Sequence, residues 1–405
     1  MTAHHILTPG QLLANVPGSL GFYPTESLIL MGFNATAEEG ENQTQTDNRA
    51  TGNPVNVTLG PTLRIDIDDF EKLQNDIVRA LAPLEPTVVF AFIISQRPER
   101  LLDGVTHKLF NSGTSHGMTI DACWYTPEIK TGEPYELWFG RDLTSGATSG
   151  NTWQYGTIPS ITATPSMEEF VDRGELPELN RKEAVRPYIT RNNAFSSQEA
   201  ARLAATARTL STALADGERF GSAANPYGIE DIAQDARLLL EEYSAYEAWD
   251  SNDHLLLTVA TWLATTATRD LVLAEFLAQP AAGATVLLEV AQTFSGEIRA
   301  NALSIYAAAQ VVLRQSHRAG LALTCVLQEY PEHRLSSLFY KLYSAGQLHN
   351  IVDCATEGSH AAQEMILGDI ERKRSMLGSV AVKEGETGSP RAGESRDGRS
   401  GANAA

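Results

Sequence analysis

The sequence predicts two unlike units. The first is an α/β domain with a parallel or mixed three-layer sheet over residues 1–165, and the second an Ala/Leu-rich antiparallel helical domain over 166–377. Three observations predict this. In the first part, apolar runs short enough for strands, SLILMGF at 27–33 and VVFAFII at 88–94, alternate with segments of helical spacing. From residue 166 such runs stop, and Ala- and Leu-rich periodic segments follow with short connections. Residues 378–405 then carry Gly, Ser, Glu and Arg with almost no core-forming side chain, which predicts a disordered tail.

Element by element, Thr8-Pro9-Gly10-Gln11 is a helix start, with Thr8 as cap, Pro9 in the first turn and Gln11 closing a capping box. That helix should stop at Pro17-Gly18. Residues 27–33 form a strand apolar on both faces, as inside a covered sheet. Residues 34–60, rich in Glu, Asn, Thr and Gly, read as a long flexible hairpin or loop. LRIDI at 63–67 alternates like a half-exposed strand, and Phe70, Leu73, Ile77 and Leu81 set a helix over 68–84. A strand over 88–94, a helix over 97–111 and strands over 118–126 and 135–139 complete the sheet.

In the helical part, Ser196-Ser-Gln-Glu199 is a second capping box, opening a helix over 200–214. Further helices are expected over 229–249, 254–278, 281–294, 298–315, 319–329, 335–345 and 349–355. Leu303, Ala307, Ala319, Leu323 and Pro331 have a tetratricopeptide-like rhythm that does not repeat cleanly afterwards.

The stretch VPGSLGFYPTESLILMGF at 16–33 invites a phosphate-loop or nucleophile-elbow reading, and both fail on topology. Its glycines precede a strand instead of joining a strand to a helix, no Lys follows Gly21 in the stretch, and Ser27 lacks a Gly two positions before it. Gly21, Phe22, Pro24 and Ser27 therefore form a structural motif: turns, a packing ring and a strand entry. With Leu28 and with Arg64 and Asp66 of LRIDI, these positions resemble the opening of an actinobacterial domain-of-unknown-function family, number 4192. SMEEF at 166–170, TRDLVL at 268–273 and the late LQEYP resemble later segments of that family, so the likeness spans most of residues 8–355. It implies no activity. The cysteine-containing stretch often found there after the last strands has no counterpart in 141–159, so a shared cysteine-bound metal is not implied.

The chain has 405 residues, a formal charge of −19 and three cysteines. That charge argues against nucleic acid and anionic membrane as partners. Cys123, Cys325 and Cys354 are scattered and odd in number, and no signal or spanning segment is evident, so a cytoplasmic setting is expected.

Arg64, Asp66, Asp68 and Asp69 are the most polar group beside a strand. Arg64, Asp66 and Asp68 could hold a ligand or Mg²⁺ where an open sheet gathers ligands, or face solvent and cap the next helix. Arg269 and Asp270 interrupt an apolar helix and are expected to bridge the two domains, since buried charges need partners. His349, Asp353 and Cys354, and separately His107, His116 and Cys123, have weak metal-ligand spacing. Trp124, Tyr125, Tyr135, Trp138, Phe139, Trp153 and Tyr155 cluster around the last strands, as core or as a pocket lining.

The expectation is a non-catalytic protein-interaction or ligand-sensing scaffold with a protein partner and no cofactor. The alternative is a metal-dependent hydrolase or phosphoryl-transfer enzyme on a small polar metabolite, using Arg64, Asp66 and Asp68.

Overall fold

The computed structural model describes residues 8–35, 57–81, 85–111, 119–140, 151–189, 191, 195–222, 225–245 and 253–386. Its first element, α1 (Pro9–Leu20), opens on the expected box: the Thr8 hydroxyl accepts from the Gln11 N–H at 3.3 Å and Gln11 Oε1 accepts from the Thr8 N–H at 2.8 Å. The helix does not stop at Pro17. It runs through it to Leu20 and ends on Gly21, left-handed at φ 76°, whose N–H bonds the Pro17 carbonyl at 2.8 Å. Burial of Val16, Pro17 and Gly18 offsets the one helical hydrogen bond that proline removes.

Strands β1 (Ser27–Ala35) and β2 (Val57–Asp66) pair antiparallel, with Ser27 opposite Asp66 and Ile29 opposite Arg64. They pair as the arms of a hairpin, and residues 34–35 and 57–60, expected to belong to the flexible stretch, are strand; residues 36–56 lie outside the described ones. β3 (Val88–Ile94) pairs antiparallel with β1 and parallel with β4 (Ala122–Thr126); β5 (Pro134–Gly140) and β6 (Tyr155–Thr157) add antiparallel neighbours. The sheet order is β2-β1-β3-β4-β5-β6, a mixed sheet.

Two cores flank it because successive strand side chains alternate faces. On one face Ile29, Met31, Phe33, Phe92 and Trp124 pack on Leu12, Leu13 and Val16 of α1. On the other, Leu28, Leu30, Val89, Ala91 and Ile93 pack on α2 (Phe70–Leu81), Leu102 and α3 (Asp103–Phe110). Met167 and Phe170, at the start of α4 (Glu168–Arg173), still belong to the α1-side core, so the sheet's packing carries past residue 165.

Beyond it lie α5 (Arg181–Ile189), α6 (Ser197–Ala215), a short hairpin of β7 (Phe220–Ser222) and β8 (Asn225–Tyr227), and α7 (Ile232–Ala245). The hairpin corrects the expectation that strands cease after 166. The helix expected over 254–278 is two, α8 (Asp253–Leu263) and α9 (Thr266–Ala278), because extended Thr265 breaks the run and caps the second. Then come α10 (Pro280–Thr293), α11 (Glu297–Val312), α12 (Ser316–Glu329) and α13 (Arg334–Ser344). The last helix, α14 (Leu348–Glu386), far outruns the expected 349–355 and enters the stretch from 378 expected to be disordered; residues 387–405 lie outside the described ones.

α11 is the axis of the helical core. Every residue from Ile298 to Gln310 is buried, and its alanines admit close neighbours. Among the described residues no helix is long and apolar enough to cross a membrane.

Candidate functional site

At the end of the sheet where β2, β3 and β4 finish and β1 begins, the predicted residues Arg64, Asp66 and Asp68 stand near one another, but as two separate ion pairs. Arg64 lies along β2, its side chain largely buried, with Nε donating to Ser27 Oγ at 2.9 Å and a terminal nitrogen to Asp66 Oδ1 at 2.5 Å. Asp68 instead takes a two-pronged contact from Arg97 at 2.6 and 2.8 Å, and that guanidinium holds its carboxyl below the usual range.

Glu26 joins the second pair to the strand ends. Its carboxylate meets Arg97 Nε at 2.7 Å and accepts from Ser95 Oγ at 2.7 Å and the Gln96 N–H at 3.0 Å. To do so Glu26 adopts a left-handed φ of 46°, a conformation side chains resist. Sequence reasoning missed it, because nothing in PTES marks a left-handed glutamate. Each carboxylate here has a guanidinium partner. Among the described residues no three metal-ligating side chains converge.

The Gly21 motif proves to be a seam. The Gly21 carbonyl and the Tyr23 N–H pair with Glu178 at 2.9 Å each, and Phe22 is buried. A Cβ on Gly21 would sit 2.4 Å from the His317 ring at the start of α12, and one on Gly18 would sit 2.3 Å from the Ser166 carbonyl. His317 stacks on Phe170 with ring centroids 4.8 Å apart, and Arg318 reaches Glu175 at 2.9 Å. Burial, with Arg318 and Arg173 nearby, pushes the His317 imidazole down to about 3.

Arg269 and Asp270, expected to bridge the domains, are engaged inside the helical region. Arg269 donates to its neighbour Asp270 at 2.8 Å and to Asn301 Oδ1 of α11 at 3.0 Å. The same Asn301 oxygen meets His333 Nε2 at 3.0 Å, and His333 caps α13. Asp270 beside it and Asn301, two helices further along the chain, together satisfy the buried guanidinium within the helical region.

The other candidates resolve into packing. Trp124 and Tyr135 are buried, and Trp124 Nε1 donates to the Trp153 carbonyl at 2.7 Å. Tyr125 stacks on Trp138 at 4.6 Å, with Phe139 beside them. Tyr155 is exposed. His349 and Asp353 line a shallow cleft with Glu169, while Cys354 is exposed; Cys123 is buried, its thiol pushed up by burial, and His116 lies outside the described residues.

The site the sequence did not disclose is a half-open cavity of about 680 Å³ between α6, α7, α8 and the β7–β8 hairpin. Leu210, Leu214, Leu239, Leu255 and Trp262 make it apolar, and Tyr227, Asp235, Glu242 and His254 supply polar groups. Trp262 Nε1 donates to the Tyr227 hydroxyl at 3.4 Å, and burial pushes that phenol up to about 12. Burial and neighbouring Asp231 raise the Asp235 carboxyl, although its side chain stands at an open mouth.

The molecule is thus a mixed-sheet α/β unit sewn at Gly21 to a helical array that carries its own cavity. Residues 9–348 match the model of a family described as a domain of unknown function, DUF4192, and the chain belongs to that family. Comparison with the curated proteins and with the solved structures gave no match.

Proposed function

We propose that this chain is a non-catalytic, ligand-sensing scaffold whose receptor site is the cavity between α6, α7, α8 and the β7–β8 hairpin. One observation carries the reading: about 680 Å³ of mostly apolar space with a few polar groups in its lining. That is the size and chemistry of a small-molecule pocket. At the sheet edge, by contrast, the carboxylates of Glu26, Asp66 and Asp68 are tied to Arg64 and Arg97 and fasten strand ends together. A signalling role calls for a protein partner, and three free cysteines suit a cytoplasmic setting.

The test uses a neutral apolar reporter, N-phenyl-1-naphthylamine, whose fluorescence rises in apolar surroundings. The full chain should bind it. Thr258 of α8 also lines the cavity, and Thr258→Trp, which places an indole there, should abolish that binding while leaving the far-ultraviolet circular dichroism unchanged. Unaltered binding by Thr258→Trp refutes the assignment.

A further inference from the structure

The cavity's walls and mouth differ in a way that selects a ligand. The floor is leucine and tryptophan: Leu214, Leu255 and Trp262 are all buried. The mouth is acidic. Asp235 and Glu242 lie seven positions apart on α7, two helical turns, and so share the face turned to the cavity. Among the described ion pairs no Lys or Arg reaches either one. The arginines nearby are taken: Arg219 by Glu230, and Arg237 by Glu275 at 3.0 Å. His254 is the one lining residue with a side chain able to carry positive charge.

We infer that the cavity takes an organic cation, a primary or secondary amine on an apolar body, with the ammonium between Asp235 and Glu242 and the body against Leu214, Leu255 and Trp262. This rests on the cavity being the receptor site. Asp235 already takes a hydrogen bond from the Tyr227 hydroxyl and lies near His254; an ammonium would add the full positive charge that no Lys or Arg of the described ion pairs brings to Asp235 or Glu242, and the faces of Phe220 and Tyr227, also in the lining, attract a cation. An anionic ligand would meet two carboxylates. A neutral one would gain only the apolar floor. The chain's charge of −19 also draws cations toward it.

Two isosteric probes test the inference by calorimetry on the full chain: 4-phenylbutylamine and 4-phenylbutan-1-ol. The amine should bind about tenfold tighter, the sum of two partly exposed charge contacts. In Asp235→Asn/Glu242→Gln the two probes should bind alike, at the alcohol's affinity, and both should be lost in Thr258→Trp. Both altered carboxylates are at the open mouth, so the variant should fold. Equal affinity of amine and alcohol for the parent chain overturns the cation assignment and leaves the cavity reading standing. Amine binding that survives Thr258→Trp places the ligand elsewhere and overturns both. Binding of neither probe, with naphthylamine unaffected by Thr258→Trp, also overturns both.

Discussion

Gly21→Ala isolates the seam between sheet and helices. Two costs add. The residue holds φ 76°, and an alanine there bears the left-handed penalty of about 1–2 kcal/mol. Its methyl would also stand 2.4 Å from His317 Cδ2, well inside any real contact. His317 cannot simply swing away, because it is buried and stacked on Phe170. Forcing extra carbon into such packing costs about 1–3 kcal/mol. The sum is roughly 2–5 kcal/mol, to be read from urea unfolding followed by tryptophan fluorescence and by circular dichroism. The double variant Gly21→Ala/His317→Ala separates the terms: the steric part, about 1–3 kcal/mol, should appear as coupling and the backbone part should remain. Destabilisation of Gly21→Ala below about 0.5 kcal/mol, or no coupling to His317, would refute the close approach of α1 to α12.

Arg299, buried without exposure, donates to both Glu329 oxygens, at 2.7 and 2.6 Å, and to the Tyr188 and Ala291 carbonyls. Arg299→Met should therefore cost about 3 kcal/mol by thermal or urea unfolding. The same arginine holds the Glu329 carboxyl below its ordinary value of 4.5, so this contribution is whole above pH 4.5 and lost as pH falls through the folded value; Glu329→Gln should flatten acid unfolding there. His317, neutral in the fold down to about 3 against an ordinary 6.5, gives the same sign over a higher window. Between those values the unfolded chain binds a proton the folded chain refuses, so stability is whole above about pH 6.5 and declines toward pH 3. The slope is at most about 1.4 kcal/mol per unit, and His317→Gln should reduce it. Glu26→Gly relieves the strained backbone but removes the carboxylate that holds Ser95, Gln96 and Arg97, whereas Glu26→Gln keeps most of its contacts; Glu26→Gly should melt lower than Glu26→Gln. Millimolar Mg²⁺ should leave the melting temperature unchanged; a rise that Asp66→Asn removes would favour the hydrolase alternative instead.

Elements governed by neighbouring residues were legible in the sequence. The capping boxes at Thr8 and Ser196 and the doubly apolar β1 and β3 declare themselves within a few residues. What was not legible depends on contacts distant in sequence. Pro17 stays inside a helix that is buried through Val16, Pro17 and Gly18, with Gly18 against Ser166, far along the chain. Arg269 finds Asn301 on the next but one helix, which no spacing rule anticipates. The cavity takes Tyr227 from a hairpin, Asp235 from α7 and Trp262 from α8, each unremarkable where it stands in the sequence. One local signal was present: Asp235, Leu238, Leu239 and Glu242 combine an apolar pair with two acids two turns apart on one face.

The seam at Gly21 also sets an order of events on the ribosome. Synthesis runs from the amino terminus, and domains form largely as they emerge. The sheet can assemble once β6 is out, and Met167 and Phe170 can then close its α1 face. The far side of Gly21 has no occupant until His317 has been translated, after all of α5 to α11. For that interval the nascent chain carries a finished sheet with an uncovered glycine turn and Phe170 lacking its stacking ring. A ribosomal pause before residue 317 would lengthen that exposure.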